Sequence, residues 1–149
     1  MRVRRQGRAD GALDDALAAA GCELVDDATA TLVYVVDDID ALDAFTPTVA
    51  GWASAAREAV AAGADVVTIV GARGFDTDEP APAMLAHGMV AATRALAFER
   101  DRKGGRVNLV AVGDAAPSEV AATVAWLLAA PVTAETVHLG AARHGRLPV

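Results

Sequence analysis

Four carboxylates, Asp37, Asp38, Asp40 and Asp43, crowd the segment that follows the apolar run "TLVYVV" (31–36). Carboxylates at that spacing can hold a hard divalent ion, and open α/β sheets place ligands at the ends of strands. The same residues also serve turns, helix caps and helix N-terminal charge, and that use is the one expected here. Asp76, Asp78 and Glu79 read as a solvated loop. The acid–base candidates are His87, His138 and His144. No serine or cysteine nucleophile can be set beside His87 from spacing, and His138 alternates with apolar neighbours as a strand residue does. Cys22 is the only cysteine. It excludes an internal disulfide, fits a reducing compartment and reads as a small buried apolar residue. "QGRADGA" (6–12) spaces Gly7 and Gly11 like the outer glycines of a dinucleotide fingerprint. Ala9 or Asp10 stands where the tight turn wants glycine, and Asp10 would repel a phosphate. The segment reads as an ordinary strand-to-helix loop. No cofactor and no metal is expected.

The elements that would carry these residues alternate. Strands are predicted at 1–6, 23–25, 31–36, 66–70, 107–112 and 136–139, and helices at 12–20, 45–62, 83–101 and 117–129. Leu13 and Leu17 lie four apart on one helical face, Gly21 is a stop signal, and Ser118 is placed to cap the last helix. Pro47 falls in a first turn, where proline is tolerated, and 73–81 reads as a polar loop. Continuous apolar runs such as "TLVYVV" suit parallel strands buried on both faces. The expectation is one α/β domain, residues 1–149, with helices on both faces of a compact parallel sheet. Apolar residues make up 54% of the chain, enough for one core, while aromatics are only 4%, which favours close-packed helices. The net charge of −7 argues against nucleic acid. No apolar run approaches a membrane span, and "MRVRRQGRADG" lacks the apolar stretch of a signal peptide, so a cytoplasmic protein is expected.

From Asp65 to Ala142 the chain resembles the C-terminal half of the short-chain dehydrogenase/reductase (SDR) family. "DVVTIVGARG" (65–74) looks like the strand that carries that family's catalytic serine. "HGMVAATRALAFERDRKGGRVNLVAVG" (87–113) is similar to its active-site helix and "RVN…PG" strand, and "ETVHLGAA" (135–142) to its last strand. The resemblance implies a truncated Rossmann or flavodoxin-like fold. It also removes the reaction. The serine column falls on Gly71, the tyrosine column on Pro82 and the lysine column on Ala86. Carbonyl reduction in this family needs a tyrosine proton donor, tuned by lysine, and a serine that positions the substrate. The chain's one lysine, Lys103, and one tyrosine, Tyr34, lie in other elements. Two family parts are missing as well: the block before the fourth strand, and the substrate lid that would follow Gly113. "LVYVVDDIDAL" and "FTP" (45–47) also resemble the flavodoxin-like N-terminal domain of high-molecular-weight β-ketoacyl reductases.

The 83–101 helix mixes Gly88, Ala91, Ala92, Ala95 and Ala97 with Met89, Val90 and Leu96. In the family this helix and the preceding one pair with their counterparts in a second subunit. The resemblance therefore implies an interface through helices 48–62 and 83–101, at Ala91, Ala92, Ala95 and Trp52. The partner would be a full-length SDR reductase or a second copy of this chain. The expected role is a non-catalytic subunit of an NAD(P)-dependent reductase or dehydrogenase, enzymes of acyl thioesters included. The alternative is a free-standing small enzyme, or a nucleotide or metal binder using the strand-end carboxylates.

Overall fold

A computed structural model describes residues 1–100 and 104–140. Along the chain run β1 (Arg2–Gly7), α1 (Gly11–Ala19), β2 (Glu23–Leu24), β3 (Thr31–Val35) and α2 (Phe45–Ala61). They are followed by β4 (Val66–Gly71), α3 (Pro80–Arg100), β5 (Val107–Val112), α4 (Pro117–Ala129) and β6 (Thr136–Leu139). Short 3₁₀ turns at Leu42–Ala44 and Ala72–Phe75 precede α2 and α3. The sheet is parallel throughout, in the order β2-β1-β3-β4-β5-β6. This is the α/β class that the strand–helix alternation predicts.

β3, β4 and β5 are buried on both faces, which is why they read as unbroken apolar runs. One face packs Val33, Val35, Val67, Ile69 and Val110 under Leu13 and Leu17 of α1 and Val120, Val124 and Leu127 of α4. The other packs Val36, Val70, Leu109 and Ala111 under Trp52 and Ala56 of α2 and Leu85 and Met89 of α3. α2 buries Ala55, Ala56 and Ala59, so its backbone lies close to the sheet, as the alanine-rich composition predicts.

The shortness of β2 has a topological effect. Leu24 of β2 and Thr31 of β3 both register against Val3 of β1. The chain therefore passes from one side of β1 to the other through residues 25–30, with no crossover helix. Asp27 shapes this link by accepting from the Thr29 N–H and hydroxyl, each at 2.8 Å, and from Arg2 at 2.7 Å. The Thr29 bonds, then Arg2, lower its pKa from 3.8 to about 2. The bonds persist above the ordinary carboxylate range and are lost as pH falls through about 2.

The arginines of β1 are compatible with a strand because each has a partner. Arg4 is buried and donates to Glu58 of α2 at 2.5 Å, and Arg5 donates to Asp14 of α1 at 2.8 Å. Asn108, from the "RVN" segment, is buried at the start of β5. It donates to the Val132 carbonyl and accepts from the Glu135 N–H, both at 3.1 Å, and so fixes the approach to β6.

One helix start and one helix cap differ from expectation. α3 begins at Pro80, three residues before Ala83, and takes in Pro80 and Pro82. First-turn amides have no intrahelical acceptor, so both rings fit there. The cap of α4 is Ala116, whose N–H donates to Glu119 at 2.8 Å; Ser118 lies inside the helix. Asp101 at the expected end of α3, Lys103 and His144 lie outside the described residues. Among the described residues no helix is long and apolar enough to cross a membrane.

Trp52 anchors α2 to the sheet. Its indole N–H donates to the Thr68 hydroxyl at 2.9 Å, and Thr68 is fully buried. Trp52→Phe is expected to cost about 2–3 kcal/mol through a small cavity and an orphaned hydroxyl. Adding Thr68→Val should recover about 1 kcal/mol, because the orphan goes with it. Denaturant unfolding of the single and double variants measures this, and strict additivity would remove the bond's role.

Candidate functional site

At the carboxyl ends of the strands the order reverses between β1 and β3, where doubly wound sheets open a ligand crevice. Here the crevice is a cleft of about 210 Å³, walled by Leu13, Val35, Ile69, Val112 and Val120, with Arg8, Asp10 and Asp38 also lining it. Asp10 caps α1, accepting from the Leu13 N–H at 3.1 Å. Its carboxylate therefore lies on the turn where a dinucleotide fold would receive a phosphate. Arg8 and Asp38 pair at 3.0 Å. The residues do not fit a dinucleotide: the helix N-terminus already carries a carboxylate and the space is small.

Beside this cleft lie the three columns that the resemblance leaves empty. Gly71 ends β4, and a Cβ placed there would sit 2.4 Å from an oxygen of Asp38. Pro82 and Ala86 are buried on the inner side of α3. Gly74, in the turn after β4, backs onto them. A Cβ on Gly74 would come within 2.2 Å of the Pro82 carbonyl oxygen and 2.6 Å of the Ala86 methyl. The void remaining among Gly71, Gly74, Pro82 and Ala86 is about 10 Å³, at the limit of what one water needs. Around Gly74, Pro82 and Ala86 the space is taken by backbone and side chains, while Gly71 also borders the larger cleft beside Asp38.

The acidic loop does not converge. Asp38 pairs with Arg8, and Asp40 pairs with Arg73 at 3.0 Å; Arg73 also pairs with Glu79 of the loop before α3. Asp37 and Asp43 are exposed. Among the described residues no three histidine, cysteine or acidic groups are placed to hold a metal. The loop is clasped from two sides by arginines. Tyr34 stands on β3 and is half-buried. Burial, then the Asp37 charge, raises its phenol pKa, so it is a poorer proton donor than a free tyrosine.

His87 and His138 both approach Phe75 edge-on, with ring centroids at 5.3 and 5.0 Å. The three rings form a small aromatic cluster across the end of the sheet. Cys22 is buried, as expected, and burial raises its thiol pKa.

The expected interface residues divide. Ala91 and Ala95 are exposed on α3, and Ala92 is half-buried. Trp52 is 5% exposed: its ring packs on the sheet and its N–H is spent on Thr68. It forms part of a groove of about 280 Å³ between α2 and α3, shared with Ala53, Ala56, Ala92, Ala95 and Leu96. Gly88 faces the Phe45 ring of α2, where a Cβ would make an ordinary contact at 3.4 Å. The outer surface of α3 also carries Met84, 40% exposed, and Phe98, 85% exposed. Phe98 escaped the sequence reading, although Met84, Ala91 and Phe98 stand seven apart, a helical-face signal.

No family model matches the chain, and no curated protein matches it. Solved structures do. The TT0495 protein from Thermus thermophilus aligns with a TM-score of 0.70 and 19% identity, over 93% of this chain and 97% of that one. A short chain dehydrogenase from Leptospira borgpetersenii, solved with bound NAD+, aligns at 0.66 and 12%, over 92% and 90%. A 4-hydroxyisoleucine dehydrogenase, solved with NADH and succinate, aligns at 0.60 and 16%, over 72% of this chain and 65% of that one. The chain thus spans about two thirds of the dehydrogenase's length. At these identities the likeness is one of fold: a truncated, SDR-like Rossmann sheet.

The two glycines beside the closed columns separate backbone from side-chain obstruction. Gly74→Ala meets backbone and should cost about 2–4 kcal/mol. Gly71→Ala meets only the end of the half-exposed Asp38 side chain, which can swing out, and should cost less than about 1 kcal/mol. Denaturant midpoints compare them; equal costs would contradict the close packing described.

Proposed function

We propose that the chain is a non-catalytic SDR-fold subunit that pairs with an intact NAD(P)-dependent reductase or dehydrogenase, those acting on acyl thioesters included. The observation that carries this reading is the side-chain chemistry of the three columns: Gly71, Pro82 and Ala86 supply none of the serine, tyrosine and lysine groups that carbonyl reduction in the family uses. Pro82 and Ala86 border a void of only about 10 Å³. The fit of the fold and the misfit of its chemistry together favour a structural role within an oxidoreductase assembly.

The apolar outer face of α3 supports the pairing. Met84, Ala91, Ala95 and Phe98 are exposed on one side of α3, and apolar side chains gathered on one helix face favour a contact surface. Its large–small–large order also favours a second copy as an alternative partner. In an antiparallel two-fold pairing centred on Ala91, Met84 of one copy meets Phe98 of the other. The role would be to complete the helix packing of the partner and to stiffen its active site. The rival reading, an enzyme or metal binder working through the acidic loop, has two of its four carboxylates, Asp38 and Asp40, paired with Arg8 and Arg73.

Purified protein should show no NAD(P)H-dependent reduction of carbonyl substrates. Turnover that disappears on substitution of a residue of this chain would overturn the proposal. Co-expressed with an intact reductase of its fold, the chain should co-sediment with it or as a dimer of itself. Phe98→Asp and Ala95→Arg should each weaken that association by at least about 30-fold without altering the circular dichroism spectrum. A wild-type chain that stays monomeric in both settings, or variants of unchanged mass, would reject the interface.

A further inference from the structure

We propose that the cleft above β1, β3, β4 and β5 binds a small molecule through a single ammonium group, at the place where a dinucleotide fold would receive an anion. The lining is the first observation. Leu13, Val35, Ile69 and Val120 are core side chains, each at most 5% exposed. The rest of the lining includes the charged side chains of Arg8, Asp10 and Asp38 and the glycines that end β4 and follow β5, Gly71 and Gly113. Two carboxylates thus meet one guanidinium, and the cleft carries an excess of negative charge within a chain of net charge −7.

The second observation is a pair of carboxylate oxygens with nothing to accept. Arg8 Nη1 donates to Asp38 Oδ2 at 3.0 Å. The other oxygen, Asp38 Oδ1, stands where a Gly71 side chain would begin. Asp10 Oδ1 accepts from the Leu13 N–H at 3.1 Å, which leaves Oδ2. Among the described residues neither Asp38 Oδ1 nor Asp10 Oδ2 accepts a hydrogen bond.

These oxygens select the occupant. An ammonium donates three hydrogen bonds from one charged atom, so it suits both oxygens and leaves the Arg8–Asp38 pair in place. An anion would meet two carboxylates. A metal ion finds too few ligands, since among the described residues no three histidine, cysteine or acidic groups are placed to hold one. The space of about 210 Å³ lies below the roughly 300–1,000 Å³ of pockets that hold drug-sized ligands, so the body of the ligand is small. Affinity is modest: the first turn of α1 offsets part of the Asp10 charge, and Asp38 is half open to water. The site lies apart from the outer face of α3 and does not depend on the pairing proposed for that face.

Benzylammonium, benzyl alcohol and benzoate share a ring and differ in charge. Each is titrated at constant ionic strength into isotopically labelled protein followed by NMR, with sodium chloride as the inorganic control. Benzylammonium is expected to give saturable shifts at the amides of Leu13, Gly71 and Gly113, with a dissociation constant of about 1 mM, as suits so few atoms. The alcohol and the benzoate should bind at least about tenfold more weakly. Raised ionic strength should weaken the ammonium and leave the alcohol unchanged. Asp10→Asn keeps a side chain that caps α1 equally well and should weaken benzylammonium about fivefold or more. Asp38→Asn should do the same from the other side of the cleft, while Arg8→Ala should strengthen binding by removing the competing cation. Any of four outcomes would overturn the proposal: no saturable shift at those amides up to about 20 mM, the alcohol or benzoate bound as well as the ammonium, unchanged affinity in both folded asparagine variants, or the same shifts from sodium chloride alone.

Discussion

The packing of α3 against the turn that follows β4 is the contact on which the rest of the molecule depends. Gly74 has no side chain, and Pro82 and Ala86 occupy the space that one would need. This brings the first turn of α3 down onto the end of the sheet. It leaves a void of only about 10 Å³ among Gly71, Gly74, Pro82 and Ala86. It also sets the rotation of α3 about its axis. Leu85 and Met89 then face the sheet, so Met84, Ala91, Ala95 and Phe98 must face outward. The narrow void and the exposure of apolar side chains on α3 are thus two consequences of one contact.

The second organising feature is the loop 37–41 between β3 and α2. Four carboxylates in seven residues would repel one another if they converged. The fold places two of them on different cations, Asp38 on Arg8 beyond β1 and Asp40 on Arg73 beyond β4, and leaves Asp37 and Asp43 exposed. These exposed pairs contribute little stability individually. Their effect is positional. They hold the loop across the strand ends, with the Asp38 carboxylate over Gly71, and so define one side of the remaining cleft.

Much of this was legible in the sequence. Strands buried on both faces announce themselves as apolar runs, and β3, β4 and β5 fall where those runs lie. The empty columns at Gly71, Pro82 and Ala86 follow from the resemblance alone. Other features were hidden for physical reasons. Pro80 and Pro82 look like helix breakers in one dimension, yet a first turn needs no amide donors from them. Trp52 looks like an interface aromatic until its N–H is matched to Thr68, sixteen residues away on a different element. Arg4 looks foreign to a strand until Glu58, on α2, is brought beside it. Phe98 carried a periodic signal that the alanines around it obscured. The cleft's charge pairing was illegible, because spacing does not reveal that Arg8 reaches Asp38.

The account rests on α3 presenting its outer face to a partner while its inner face seals a site without chemistry. The most direct measurement replaces Phe98 with a photo-crosslinking residue in cells that also express an intact reductase of the same fold. Mass spectrometry of the adducts then identifies the partner. The account expects an adduct to the reductase's paired helices or to α3 of a second copy, and none from the same residue placed at Ala122 on α4. Equal adducts from both positions, or none from position 98, would contradict it.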